Sequence, residues 1–67
     1  MVRVGFLGLG TMGGPMAANI IRGGHVVKGY DISQAALDQH GKNGGIMVQS
    51  AAEAAEGVDM VFTMLPN

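Results

Sequence analysis

Six consecutive residues, Gly8-Leu9-Gly10-Thr11-Met12-Gly13, and an aspartate 18 positions beyond them, Asp31, carry the chemistry that can be read from this 67-residue sequence. Glycine at the first, third and sixth positions has a physical meaning if a strand precedes the run and a helix follows it. Gly8 permits a tight turn out of the strand. Gly10 lacks the Cβ that would hold a pyrophosphate at a distance, and Gly13 lets the helix lie close against the sheet. The backbone N–H groups of Gly10, Thr11 and Met12 then face an anion, helped by the positive end of the helix dipole. A carboxylate at Asp31 accepts the two hydroxyls of a ribose and repels a 2′-phosphate, and neither Ile32 nor Ser33 is an arginine that could receive that phosphate. The pattern predicts a dinucleotide site with NAD favoured over NADP. Two plainer readings stay open: a glycine-rich turn with no ligand, and Asp31 as the N-cap of the next helix. Met64-Leu65-Pro66 closes the last strand-like run. At the edge of such a site it would lie beside the dinucleotide, but an ordinary strand terminator explains it equally well.

The remaining reactive side chains read as structural. His25 follows two glycines with no carboxylate or second histidine near it in sequence, which suggests a solvated loop residue. His40 is expected near a helix C-terminus, where partial positive charge is welcome. Met12, Met16, Met60 and Met64 have the character of core filling. Glu53 reads as part of a helix cap and Glu56 as surface charge, while propensity gives no reason for Asn19. No pair of carboxylates, Ser–His pair or metal-ligand cluster has catalytic spacing.

The elements that must position the glycine run are legible on either side of it. Val2 to Leu7 suits a buried parallel strand. From about Thr11 to Arg22 the apolar residues Met12, Met16, Ala17, Ile20 and Ile21 form a helical stripe, with Pro15 tolerable only in its first turn and Gly23-Gly24 as its stop. Val26 to Tyr30 is a second strand, and Ser33 caps a helix to about His40 with Gly41 after it. Ile46 to Val48 is a short third strand. Ser50 to Glu53 has capping-box spacing with Gly57 closing that helix, and Asp59 to Leu65 is a fourth strand. This β-α-β-α-β-α-β order predicts an α/β fold: a doubly wound parallel sheet of strand order 3-2-1-4, whose first and fourth strands flank a binding crevice.

Composition narrows the partners. Hydrophobic residues make up 48% of the chain, charged residues 13%, and the net charge is −1, so there is no basic field for nucleic acid or an anionic membrane. There is no cysteine, which fits a reducing compartment, and no apolar run nears the roughly 20 residues that span a bilayer. With Met1 leading straight into a strand, the cytoplasm is the expected location. A domain this small buries only about 60% of its unfolded surface. Standing alone, it is expected to be weakly stable and to self-associate through the open side of its fourth strand.

Phe6 to Asn19, read as FLGLGTMGGPMAAN, resembles the opening signature of the β-hydroxyacid dehydrogenases, and especially their 3-hydroxyisobutyrate branch. The similarity continues through Gly24-His25-Val26, Tyr30-Asp31 and Met64-Leu65-Pro66. Met12, Pro15, Met16 and Asn19 make it specific, because dinucleotide binding in general does not demand them. The resemblance implies that residues 1–67 are the N-terminal part of an NAD-binding Rossmann domain, with the rest of that domain and a substrate domain beyond. It also implies that Gly8, Leu9, Gly10, Thr11, Met12 and Gly13 cradle the pyrophosphate, that Asp31 holds the adenosine ribose, and that Met64, Leu65 and Pro66 lie against the cofactor. The family oxidises a small 3-hydroxy acid to its semialdehyde by passing hydride to NAD, or runs the reverse, as a homo-oligomer when full length. Its catalytic lysine matches neither Lys28 nor Lys42, so no catalytic residue is expected here. Two alternatives remain. One is an NADPH-dependent glyoxylate or succinic semialdehyde reductase, whose relatives often carry Asn-Arg where this chain has Asp31-Ile32. The other is a catalytically silent dinucleotide-binding scaffold.

Overall fold

The computed structural model describes residues 1–10 and 13–64. Four parallel strands, β1 (Arg3–Leu7), β2 (Val26–Tyr30), β3 (Ile46–Met47) and β4 (Met60–Thr63), form one sheet in the order β3-β2-β1-β4. Helices α1 (Gly13–Arg22), α2 (Gln34–Lys42) and α3 (Ala51–Ala55) connect them. Helices α1 and α2 pack on one face and touch each other, while α3 touches β1, β2 and β4 but neither of the other helices. The expected α/β topology and strand order are therefore present.

The two faces are built differently. Toward α1 and α2, Val4, Phe6, Leu9, Ala17, Val27 and Leu37 form the core. Fully burying a side chain such as Phe6 contributes about 1.5–3 kcal/mol, and its ring also lies 5.6 Å from that of Phe62 in a tilted arrangement. Toward α3 the sheet is thin: a Cβ on Gly5 would run into the carbonyl of Ala54, so the backbones meet directly. The central strands are largely buried, whereas both residues of β3 and most of β4 are exposed.

Helix ends follow local chemistry. At the end of α1, Gly24 takes φ +91°, its N–H donates to Ile21 O, and the N–H of His25 donates to Ile20 O. This doubled return satisfies carbonyls that would otherwise lack donors. The same closure ends α2 one turn's fraction later than the sequence suggests. Gly41 stays helical, and the left-handed residue is Gly44 at φ +94°. Gly41 serves packing instead: a Cβ there would stand 2.9 Å from Met47 Sδ, so this glycine makes room for β3. Helix α3 begins as expected, with Ser50 Oγ accepting from the Glu53 N–H at 3.1 Å. Strand β4 begins at Met60 rather than at Asp59, which serves as an anchor ahead of it. Its carboxylate accepts the Arg3 N–H at 2.9 Å and its own N–H donates to Arg3 O at 2.7 Å.

Candidate dinucleotide site

The glycine run leaves the sheet at the C-terminal end of β1, where three segments converge. The Gly8 N–H donates to Tyr30 O at 3.0 Å, and the Met64 N–H donates to Leu7 O at 2.7 Å. The root of the glycine loop, the end of β2 and the end of β4 thus lie side by side at one edge of the sheet. This is the crevice that the strand order predicts. Met64 is half-buried against the core there. Thr11, Met12, Leu65 and Pro66, the other expected contact residues, lie outside the described residues.

Each described glycine of the motif has a distinct environment. Gly8 sits at φ +96°, a backbone region that side chains disfavour, and is buried. A Cβ on Gly13 would collide with the carbonyl of Gly8 and come within 3.2 Å of the Phe6 ring. Gly10 is the opposite: it is exposed and a Cβ there would meet nothing within 4 Å. Among the described residues nothing therefore requires glycine at this position, and the open space in front of it fits the close approach of a phosphate. Just beyond, the Gly14 N–H donates to Gly10 O at 3.0 Å, which places the first turn of α1 directly behind the loop.

Asp31 joins the loop to β2. Its Oδ2 accepts the Leu9 N–H at 2.7 Å and its Oδ1 accepts the Ser33 N–H at 2.8 Å. The N-cap of α2 is Ser33, whose Oγ accepts from the Ala36 N–H, so Asp31 is not the helix cap. A carboxylate offers about four lone-pair positions. With two of them used by backbone, Asp31 keeps acceptor capacity for ribose hydroxyls. Ile32, next to it, is 93% exposed and brings no positive charge.

The histidines differ from their sequence reading. His25 is half-buried, and its Nδ1 accepts the Val2 N–H at 3.0 Å, tying the start of β1 to the α1–β2 turn. His40 lies in the last turn of α2, as expected, but it is buried there. It is 2% exposed, lies against β2 with Nε2 3.2 Å from Val27 O, and burial pushes its pKa below the ordinary value. The sequence signal that could have found it is a pair of glycines, Gly29 and Gly45, whose missing side chains admit the ring. Leu9, Gly10, Pro15, Gln39, His40 and Asn43 line a groove of about 330 Å³ between α1 and α2.

Two expected core methionines are substantially exposed, Met16 at 41% and Met60 at 49%. Among the described residues no strand pairs with the outer side of β4. Asn19 accepts from Arg22 Nη2 at 2.7 Å on the surface of α1. Lys28 Nζ donates to Glu56 O at 2.8 Å, capping a carbonyl at the end of α3, and Lys42 is exposed on α2. Among the described residues no helix is long and apolar enough to cross a membrane, and no group of three His, Asp or Glu could hold a metal ion.

The likeness to known proteins extends over the whole chain. It is 46% identical over 67 residues to a probable 3-hydroxyisobutyrate dehydrogenase of Mycobacterium tuberculosis, covering 100% of this chain and 23% of that protein. It is 39% identical over 66 residues to an NAD-dependent L-serine dehydrogenase of Pseudomonas aeruginosa, covering 98% and 22%. A solved structure of M. tuberculosis 3-hydroxyisobutyrate dehydrogenase with L-serine superposes with a TM-score of 0.96 at 45% identity, over 98% of this chain and 23% of that one. The chain thus spans less than a quarter of the length of these relatives. Residues 3–67 match the family model of the NAD-binding domain of 6-phosphogluconate dehydrogenase, and the chain belongs to that family of NAD-binding domains.

Proposed function

We propose that this chain is the first part of the NAD-binding domain of a dehydrogenase that passes hydride between NAD and a small 3-hydroxy acid. 3-Hydroxyisobutyrate, giving its semialdehyde, is the preferred substrate. The relatives named for 3-hydroxyisobutyrate and L-serine support that substrate class, in which a hydroxyl sits one carbon beyond the carbon bearing the carboxylate. The single observation that carries the cofactor reading is Asp31, whose carboxylate sits at the glycine loop beside the uncharged, exposed Ile32. There it accepts ribose hydroxyls and disfavours a 2′-phosphate.

In this reading Gly8, Leu9, Gly10, Thr11, Met12 and Gly13 hold the pyrophosphate, Asp31 holds the adenosine ribose, and Met64, Leu65 and Pro66 border the cofactor. The cofactor supplies the redox chemistry when bound. The residues of this chain bind and orient it, and the groups that act on the substrate belong to sequence beyond residue 67. The full-length protein is proposed to be a cytoplasmic homo-oligomer with no nucleic-acid or membrane partner.

The test is steady-state kinetics of the full-length protein with NAD and NADP against 3-hydroxyisobutyrate, L-serine and glycerate. Activity with NAD and one of these acids is expected, and Asp31→Ser is expected to raise relative NADP use. Preference for NADPH with glyoxylate or succinic semialdehyde would establish the reductase instead. Dinucleotide binding with no turnover of any substrate would establish the scaffold.

A further inference from the structure

His40 is the one buried histidine of the described chain, and neither the glycine motif nor Asp31 accounts for it. Three features fix its place. Its Nε2 lies 3.2 Å from the carbonyl of Val27, two residues before Gly29 on β2. Gly45 leaves no room for a Cβ on the side of the ring that it faces. At Gly29 a Cβ would stand 2.6 Å from His40 Nε2 and 2.9 Å from Leu9 Cδ1, so ring and leucine both lie over the bare backbone of β2. Leu9 is in turn the residue whose N–H Asp31 holds, and Leu9, Gly10 and His40 share the wall of one groove.

We infer that His40 is a positioning residue for the dinucleotide cradle, acting through Leu9 and the Gly29 backbone rather than by touching the cofactor. The inference rests on the dinucleotide reading above and adds a residue outside its motif. The physical argument is one of packing. Interiors are filled to crystal-like density, so a side chain that seats another cannot be removed without that neighbour moving. Leu9 is the second residue of the glycine run. If its side chain drops toward the space left by the imidazole, its backbone moves as well, and with it Gly10 and the Asp31 contact. An amide at position 40 keeps a donor for Val27 O and part of the volume, whereas alanine keeps neither.

The experiment measures the dissociation constant for NADH, by fluorescence titration, alongside the thermal midpoint. It uses the full-length protein and its His40→Ala, His40→Gln and Val4→Ala variants. Val4 is a buried core residue at the opposite end of β1 and serves as the matched loss of packing. His40→Ala is expected to weaken NADH binding about tenfold, less than the roughly hundredfold that a 1 Å misplacement can cost at reacting atoms. His40→Gln should recover only part of that loss and stay clearly weaker than Val4→Ala, which should lower the midpoint while leaving the constant within about twofold of wild type. Should His40→Ala not fold, His40→Gln still decides, since it must bind more weakly than Val4→Ala. If wild type binds NADH while the His40 variants bind as tightly as Val4→Ala, this inference fails and the dinucleotide reading stands. If wild type binds no dinucleotide, both fail.

Discussion

Two positions of the glycine motif, Gly10 and Gly13, are made of the same residue type for opposite reasons. Gly13 is glycine because the protein itself fills the space: a Cβ would enter the Gly8 carbonyl and crowd Phe6. Gly10 is glycine although no described residue would meet a Cβ there. The first is a condition for the helix to sit on the sheet, and the second is a condition only if something else occupies the opening. The comparison teaches that a fold requirement and a binding requirement can share one motif and still be separated by what each missing Cβ would touch.

Substitution tests that separation directly. Gly13→Ala is expected to cause the largest change, a loss on the order of 3 kcal/mol or more, because overpacking against backbone cannot be relieved by a rotamer. A domain of this size has few kcal/mol in total, so the thermal unfolding transition should largely disappear. Gly10→Ala is expected to leave the thermal midpoint unchanged while NADH binding in the same titration is lost or greatly weakened. Equal effects of the two alanines on stability would erase the distinction.

A smaller effect sharpens the view of the groove behind the loop. Burial holds the pKa of His40 below its ordinary 6.5, so the folded protein takes up this proton less readily than the unfolded chain. Its contribution to stability is complete above 6.5 and is lost as pH falls through the depressed folded value. Thermal midpoints measured downward from pH 7 should therefore fall, and His40→Gln should flatten that part of the curve. Parallel curves for the two proteins would show that the ring does not titrate as its burial requires.

The smallest effect belongs to the far edge of the sheet. The Arg3 N–H holds the Asp59 carboxyl below its ordinary value of 3.8, with the Arg3 guanidinium contributing from 3.7 Å. That stabilisation is present above 3.8 and disappears as pH falls through the lowered value. The pair is exposed and screened by salt, so Asp59→Asn should shift the midpoint only slightly at pH 7. A large shift would mean that this edge is as tightly built as the cradle.

How much of this was legible in the sequence differs by element. Alternating apolar runs, Pro15, the paired glycines after α1 and the Ser33 and Ser50 caps each encode a local event, and local events are written in adjacent residues. They placed β1, β2, α1 and α3 nearly as observed. The end of α2 was not legible, because Gly41 is a glycine that makes room for Met47 from another element, while the left-handed closing residue is Gly44. The burial of His40 was not legible for the same reason. Its burial is set by Gly29 and Gly45, which lie on neighbouring segments and look in sequence like ordinary glycines.

By itself, then, the sequence determined the order of elements, the parallel sheet that this order forces, and the glycine loop with a carboxylate at the end of the next strand. Periodicity, caps and motif spacing act over a few residues, and crossover handedness leaves little choice among topologies. Only the tertiary structure decided that Asp31 grips the Leu9 N–H instead of capping α2, that Gly13 is filled from within while Gly10 is open, and that His40 lies beneath the loop. Those outcomes depend on which atoms from distant parts of the chain occupy the same few ångströms, and no local pattern records that.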